Sequence, residues 1–394
     1  MHRWKNKFLH SALKNVSAST GQATFTINGT DVNIAVPPRH TGSRGLIIAD
    51  PCFHGAAAGC SYGEKFQTFS RMTALLNLAA AETTRDRIDY WMILGDNFYD
   101  RDGHLAQAWF DQLTLDTKSR VFGTVAGNHD YWGLGTPVAA FDIDQFGNGN
   151  LQFYAMDSVA SANIAAKEDA AKASSSASVP GAFLDLSVDP DAPHTKHQLA
   201  KLENFFTYSM IGNVAFILFS GGYDYADTMP HFEAGCAWLK EAKPDVAFIA
   251  GHWNDFELGA LGCKDKMTVP DVYEEIRAFD GCKQLDAEMQ LKYIMGHTHC
   301  NKVTATDPRG GPTSALGMMV AGQGMEGCGN FGVPVVSTKE ARRVEVLYYE
   351  VQSTESGSTD NYAALSQCWS EHGLEGCKGM ADVWLNQTVA KVEW

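Results

Sequence analysis

No stretch of the chain approaches the roughly 20 consecutive apolar residues that a bilayer-spanning helix needs. Dense runs of lysine and arginine are also missing. With a formal net charge of −15, the overall field would repel nucleic acid and anionic membranes at long range. The first fifteen residues, MHRWKNKFLHSALKN, are basic but lack an apolar core, so no signal peptide is visible. No internal repeat is apparent. His194 and His197 in PHTKH have zinc-like spacing without partner cysteines, which reads as a solvated loop. Cysteine, by contrast, is plentiful. Nine cysteines and N-x-S/T sequons at Asn15, Asn28 and Asn386 lean toward a secreted or extracellular glycoprotein. The pairs Cys52/Cys60, Cys263/Cys282 and Cys368/Cys377 are close enough in sequence to form disulfides, and an odd count leaves a free thiol or an intermolecular bond.

What the chain does carry is a series of short motifs, each directly after an apolar run. Asp50 lies in IIADPCFHG, Asp96 and Tyr99 in LGDNFYD, Asn128 and His129 in AGNHD, His252 in FIAGHW, and His297 and His299 in MGHTHCN. The runs 46–49, 91–94, 121–126, 246–250 and 291–295 are short and apolar, as in strands buried on both faces. Each candidate ligand thus sits where a strand ends, which is where α/β sheets gather residues distant in sequence. Carboxylates, a carboxamide, imidazoles and a phenol suit divalent or trivalent first-row metals. Asp50, Asp96, Tyr99, Asn128, His252, His297 and His299 are too many donors for one ion unless a carboxylate is shared. Two ions about 3.5–4 Å apart, bridged by Asp96, would use them all and could clamp a phosphoryl group.

The order D, GDxxY, GNHD, xxGH and GHxH resembles the calcineurin-like metallophosphoesterase superfamily, and GDNFY is most similar to the purple acid phosphatase branch. The resemblance covers roughly residues 45 to 305. It implies that Asp50, Asp96, Tyr99 and His299 hold one ion, Fe3+ in that branch. Asp96, Asn128, His252 and His297 would hold a divalent Fe2+, Zn2+ or Mn2+. His129, bound to neither, would face the substrate phosphate and act as a catalytic proton or hydrogen-bond donor beside the bridging Asp96. The implied reaction is phosphomonoester hydrolysis by direct attack of a metal-bound hydroxide, without a phosphoenzyme. The implied architecture is a four-layer β-sandwich flanked by helices, with the dinuclear site at the C-terminal ends of strands.

Tyr99 favours the purple branch, because a phenol with an ordinary pKa near 10 yields its proton to a trivalent ion more readily than to a divalent one. The first motif departs from both patterns. His54 follows Asp50 at a wider spacing than the family's histidine. It is either an alternative ligand favouring two divalent ions, or a histidine outside the metal shell or simply hydrogen-bonded in its loop. Arg101 and His104 either contact a substrate phosphate or form surface ion pairs among acidic neighbours. Gly95, Gly127, Gly251 and Gly296 each precede a ligand, fitting tight strand exits.

The organisation expected is an N-terminal hairpin and lead-in over 1–44, a catalytic domain over 45–351, and a linker with a C-terminal appendage over 352–394. Within it, 24–27 and 32–36 read as the hairpin leading into the sheet, 66–80 and 235–241 as helices, and 315–320 and 344–351 as strands completing a second sheet. Residues 157–180, rich in Ala and Ser, read as a surface excursion or substrate lid. The expected partner is a small phosphate ester, with neither nucleic acid nor a membrane span. Two rival functions stay open: a divalent-metal phosphodiesterase or nucleotide hydrolase of the same superfamily, and a non-catalytic binding or surface protein that kept the fold.

Overall fold

The apolar runs become strands that alternate their side chains between two different interiors. In β5 (Arg44–Ile48), Leu46 and Ile48 face one hydrophobic cluster and Ile47 another, each fully buried. The same alternation recurs in β10 (Val246–Ala250), where Phe248 and Ala250 share the second cluster and Ala247 and Ile249 a third. Three clusters imply four layers. The computed structural model describes residues 2–4, 7–9, 16, 20–53, 60, 63–100, 103–130, 206–254, 262–321, 328–354 and 358–394.

In chain order the strands begin with β1 (His2–Trp4), β2 (Lys7–Leu9), β3 (Gln22–Ile27) and β4 (Thr30–Ala35). After β5 come β6 (Tyr90–Leu94), β7 (Val121–Val125), β8 (Phe206–Ile211) and β9 (Val214–Phe219). Following β10 are β11 (Leu291–Met295), β12 (Lys302–Thr306), β13 (Ala315–Met319) and β14 (Asn330–Ser337). The last are β15 (Arg343–Ser353), β16 (Thr359–Asp360) and β17 (Asp382–Thr388). The helices are α1 (Thr68–Ala80), α2 (His104–Gln112), α3 (Leu115–Lys118), α4 (Tyr225–Ala242), α5 (Val269–Ile276), α6 (Cys282–Ala287) and α7 (Tyr362–Gly376).

A seven-stranded sheet has the order β16-β15-β14-β5-β6-β7, with β17 on β15, and a six-stranded sheet runs β12-β13-β11-β10-β9-β8. Within them β5, β6 and β7 are parallel, as are β9, β10, β11 and β13. The sheets pack face to face through Tyr90, Met92, Phe216 and Phe248. Helices α1, α2 and α7 cover the outer face of the first sheet, with Trp91, Trp109 and Trp369 at that interface. Helices α4, α5 and α6 cover the second through Phe232, Leu239, Val272 and Ile276. The result is a mixed α/β, four-layer sandwich with helices on both outer faces.

Several expectations change. The two runs after His299 do not share a second sheet: β13 joins the six-stranded sheet and β15 the seven-stranded one. The early hairpin forms, turning at Asn28 and Gly29 with φ of 49° and 77°, but among the described residues β3 and β4 pair only with each other. Positive φ at both turn positions suits a tight hairpin whose twist matches its strands. The helix expected over 235–241 begins ten residues earlier, at Tyr225, and accommodates Pro230 within its first two turns. The segment 352–360 contains the end of β15 and all of β16, while 359–388 returns α7 and β17 to the larger sheet. Residues 157–180 lie outside the described residues.

All nine cysteines fall among the described residues. Cys52–Cys60 and Cys368–Cys377 bridge as expected. The pairing of Cys263 with Cys282 is wrong. Cys236 of α4 bonds Cys282 of α6, Cα–Cα 5.1 Å, because packing of the two helices brings together residues 46 apart in sequence. Cys300–Cys328 is a fourth bridge, and Cys263 is the free thiol. Among the described residues, no helix is long and apolar enough to cross a membrane.

Candidate metal centre

The strand ends deliver their side chains to a seam between the two sheets. Asp50, Asp96 and Asn128 follow β5, β6 and β7 of the larger sheet, while His252 and His297 follow β10 and β11 of the smaller. His252 ties the sheets together: its Nδ1–H donates to the Leu94 carbonyl at 2.9 Å, across the interface. That bond fixes the tautomer and turns Nε2 toward the other donors. Around Nε2 lie Asn128 Oδ1 at 3.2 Å, His297 Nδ1 at 3.2 Å, Asp96 Oδ1 at 3.3 Å and Asp50 Oδ1 at 3.8 Å. On the other side of Asp50, the Tyr99 hydroxyl donates to Asp50 Oδ1 at 3.3 Å and lies 2.8 Å from His299 Nε2. All seven sequence-selected donors therefore meet, each no more than 8 % exposed. Among the described residues, Asp50, Asp96 and His252 form a group whose ligand atoms all lie within 4.8 Å.

The backbone pays a conformational cost to achieve this. Asp50, Asp96, Phe98, Tyr99, His297 and His299 all have left-handed φ, between 51° and 79°. Such conformations are unfavourable for side chains with a Cβ and gather at functional sites, where the surrounding structure imposes them. Gly95, itself at φ 84°, and Gly296 permit the closest approaches. A Cβ on Gly95 would meet His252 Nδ1, and one on Gly296 would come within 2.7 Å of Asp50 Oδ2. A Cβ on Gly127 would strike the Asp96 carboxylate, whereas Gly251 makes room for Val269 and Phe219 instead.

Electrostatics in this buried seam call for positive charge. Burial, with the neighbouring Asp96, pushes the Asp50 carboxyl up to about 8 despite the opposing pull of His252. Burial alone would lower the His252 imidazole, but the Asp96 and Asp50 carboxylates outweigh it and raise it to about 10. Burial also opposes ionisation of Asp96, yet His252 and His129 hold that carboxyl below the usual range. Tyr99 is driven well above its ordinary value by burial and by both aspartates. Lone-pair donors this crowded need either protons or metal cations between them, and buried carboxylates, imidazoles and a phenol are a donor set that iron, zinc or manganese accepts. The residues fit a metal centre.

His129 is half-buried, its ring centroid 4.6 Å from that of Tyr99, and its backbone N–H donates to Asp96 Oδ1 at 2.8 Å. Trp253 packs edge-on against His252 with centroids 5.2 Å apart, consistent with a wall beside the site. His104 opens α2 and is exposed. His54 and Arg101, like His194 and His197, lie outside the described residues.

Sequence reasoning missed the layer beneath the donors. Asp130, 1 % exposed, accepts from the backbone N–H groups of Asn97 and Gly127 and from Asn97 Nδ2. Burial and the nearby Asp96 raise its carboxyl to about 7. The Thr124 hydroxyl donates to Asn97 Oδ1 at 2.9 Å. The available signal was position: Asn97 and Asp130 each stand next to a motif residue, as the N of GDN and the last D of GNHD.

No protein-family model matches the chain, and no curated protein matches it in sequence. Among solved structures it is similar to a purple acid phosphatase from seeds of yellow lupin (Lupinus luteus), with TM-score 0.44 and 13 % identity, over 84 % of this chain and 55 % of that one. It is also similar to GAP50, the anchor in the inner membrane complex of Plasmodium, with TM-score 0.41 and 11 % identity over 90 % of each chain. A third is PhoD, with TM-score 0.39 and 9 % identity over 84 % of this chain and 71 % of that one. The chain thus spans about half the length of the lupin protein.

Proposed function

We propose that the protein is a dinuclear metal-dependent hydrolase of phosphomonoesters, folded in an oxidising, extracellular setting. The observation that carries this reading is the convergence of seven buried donors around Asp50 and His252 Nε2. Tyr99 and His299 lie on one side of Asp50, while Asp96, Asn128 and His297 surround His252 Nε2, 3.8 Å from the same Asp50 oxygen; seven donors in one continuous cluster are too many for one ion, which supports two. Asp50, Asp96, Tyr99 and His299 would hold Fe3+, and Asp96, Asn128, His252 and His297 would hold Fe2+, Zn2+ or Mn2+. When bound, such ions supply charge neutralisation at phosphorus and activation of water.

The chain's own groups would do the rest. His129 is less buried than the donors around it, which supports its giving a proton or hydrogen bond to the leaving oxygen, a role typically worth about 10²–10⁴ in rate. Its backbone bond to Asp96 sets that imidazole beside the centre. Arg101 and His104, just past Tyr99 in sequence, are proposed to hold the phosphate oxygens. Four disulfides support the compartment.

Assay of the metal-loaded protein on nitrophenyl phosphate, an alkyl phosphate and bis(nitrophenyl) phosphate tests the proposal. Monoester hydrolysis that disappears in Asp96→Ala is expected. Preference for the diester would replace it with a divalent-metal phosphodiesterase or nucleotide hydrolase. Two bound ions with no hydrolysis of any ester would leave a non-catalytic binding protein.

A further inference from the structure

We propose that Asp130 is a positioning residue, whose carboxylate locks the loop after β7 onto the loop after β6 and so sets Asn128 and His129 against Asp96. The inference rests on the reading of the site as a metal-dependent hydrolase.

Two aspartates cross between these loops in opposite directions. Asp96, on the β6 loop, accepts the backbone N–H of His129 on the β7 loop at 2.8 Å. Asp130, on the β7 loop, accepts the backbone N–H of Asn97 on the β6 loop, also at 2.8 Å. The second oxygen of Asp130 takes the Gly127 N–H at 2.7 Å and Asn97 Nδ2–H at 2.9 Å. Asn97 Nδ2 also reaches the Val125 carbonyl at 3.2 Å, and the Thr124 hydroxyl of β7 donates to Asn97 Oδ1 at 2.9 Å. The ends of β6 and β7 are thereby stitched together directly beneath the donors.

A buried carboxylate is tolerated only when its oxygens are hydrogen-bonded. Both oxygens of Asp130 are committed to N–H groups of the two loops, so the residue is placed to hold them. Asn128 and His129 lie between Gly127, which Asp130 grips, and Asp130 itself, in a single 3-10 turn. Removing the carboxylate would leave three N–H groups without their acceptor and free that turn to shift. Groups that orient a metal ligand typically control about 10–100-fold in metal affinity, and a misplacement of about 1 Å at a reacting group can cost about 10²-fold in turnover.

The test compares Asp130→Ala, Asn128→Ala, His129→Ala and the two double variants containing Asp130→Ala, measuring zinc affinity by chelator competition and kcat on an alkyl phosphate. Asp130→Ala should bind zinc about 10–100-fold more weakly. If Asp130 acts through Asn128, the double variant should bind no more weakly than Asn128→Ala alone; if it acts through His129, the corresponding double variant should lose no more turnover than His129→Ala alone. Asp130→Asn, which keeps one acceptor oxygen, should fall between wild type and Asp130→Ala, and serves in its place should the alanine variant not fold. Wild-type zinc affinity in the Asp130 variants, or losses that multiply in both double variants, would overturn the positioning role. A wild type that binds zinc but hydrolyses no ester would sink the hydrolase reading and leave the affinity comparison to judge Asp130. A wild type that binds neither zinc, manganese nor iron would remove both.

Discussion

At the scale of single residues, the centre is shaped by side chains whose other atoms are already committed. His252 is held by Leu94 through Nδ1, and His297 donates its backbone N–H to Asp50 Oδ2 at 2.9 Å. Tyr99 is the residue that separates the metal alternatives. With no cation present, burial and two carboxylates keep its phenol protonated. A trivalent ion at Asp50 and His299 would reverse that balance by its own charge. The oxidised, iron-loaded protein should then show a visible phenolate-to-iron absorption band, absent in Tyr99→Phe. A colourless, active iron protein, or a band that survives the substitution, would remove Tyr99 from the metal and return attention to His54. A second residue bears on stability. Lys292 of β11 is 1 % exposed and its Nζ has no hydrogen-bond partner among the described residues. Burial pushes its amine from 10.5 down to about 8. The unfolded chain therefore binds this proton more tightly than the folded one. Stability from this group should rise as pH climbs from about 8 to 10.5, by about 3 kcal/mol at most. Lys292→Met should accordingly melt above wild type at pH 7, with the difference shrinking toward pH 10.5; equal melting temperatures at pH 7 would refute the burial penalty.

At the scale of elements, the strands that carry the motifs were legible because a strand buried on both faces is a short, continuous apolar run. Their allocation to two sheets was not. The runs preceding Asp96 and His252 have the same character, and only long-range pairing places β6 in one sheet and β10 in the other. Likewise no local pattern assigns β13 and β15 to their sheets: β13 continues the parallel β11 while β15 pairs antiparallel with β14. Cysteine spacing misled for the same reason: Cys236 and Cys282 meet through helix packing that no local pattern records. Peptide mapping of unreduced protein should find Cys236 joined to Cys282 and Cys300 to Cys328, and thiol titration after denaturation should find one free thiol per chain, Cys263. A Cys263–Cys282 peptide would contradict the packing of α4 against α6.

At the scale of the whole molecule, two sheets meet face to face and their strand ends meet at one seam, so no single sheet holds the complete centre. The residues that converge could be picked from the sequence by type and by position after a strand. The contacts beneath them could not, because Asn97 and Asp130 engage each other across loops 33 residues apart. The fold sets the buried carboxylates of Asp50 and Asp96 side by side among donors from both sheets, which together form a candidate place for cations. Elemental analysis of the purified wild type and of Asp96→Ala tests that claim most directly. Two metal ions per wild-type chain and the loss of both in the variant are predicted. One ion or none in active wild-type protein, or two ions retained by Asp96→Ala, would contradict it.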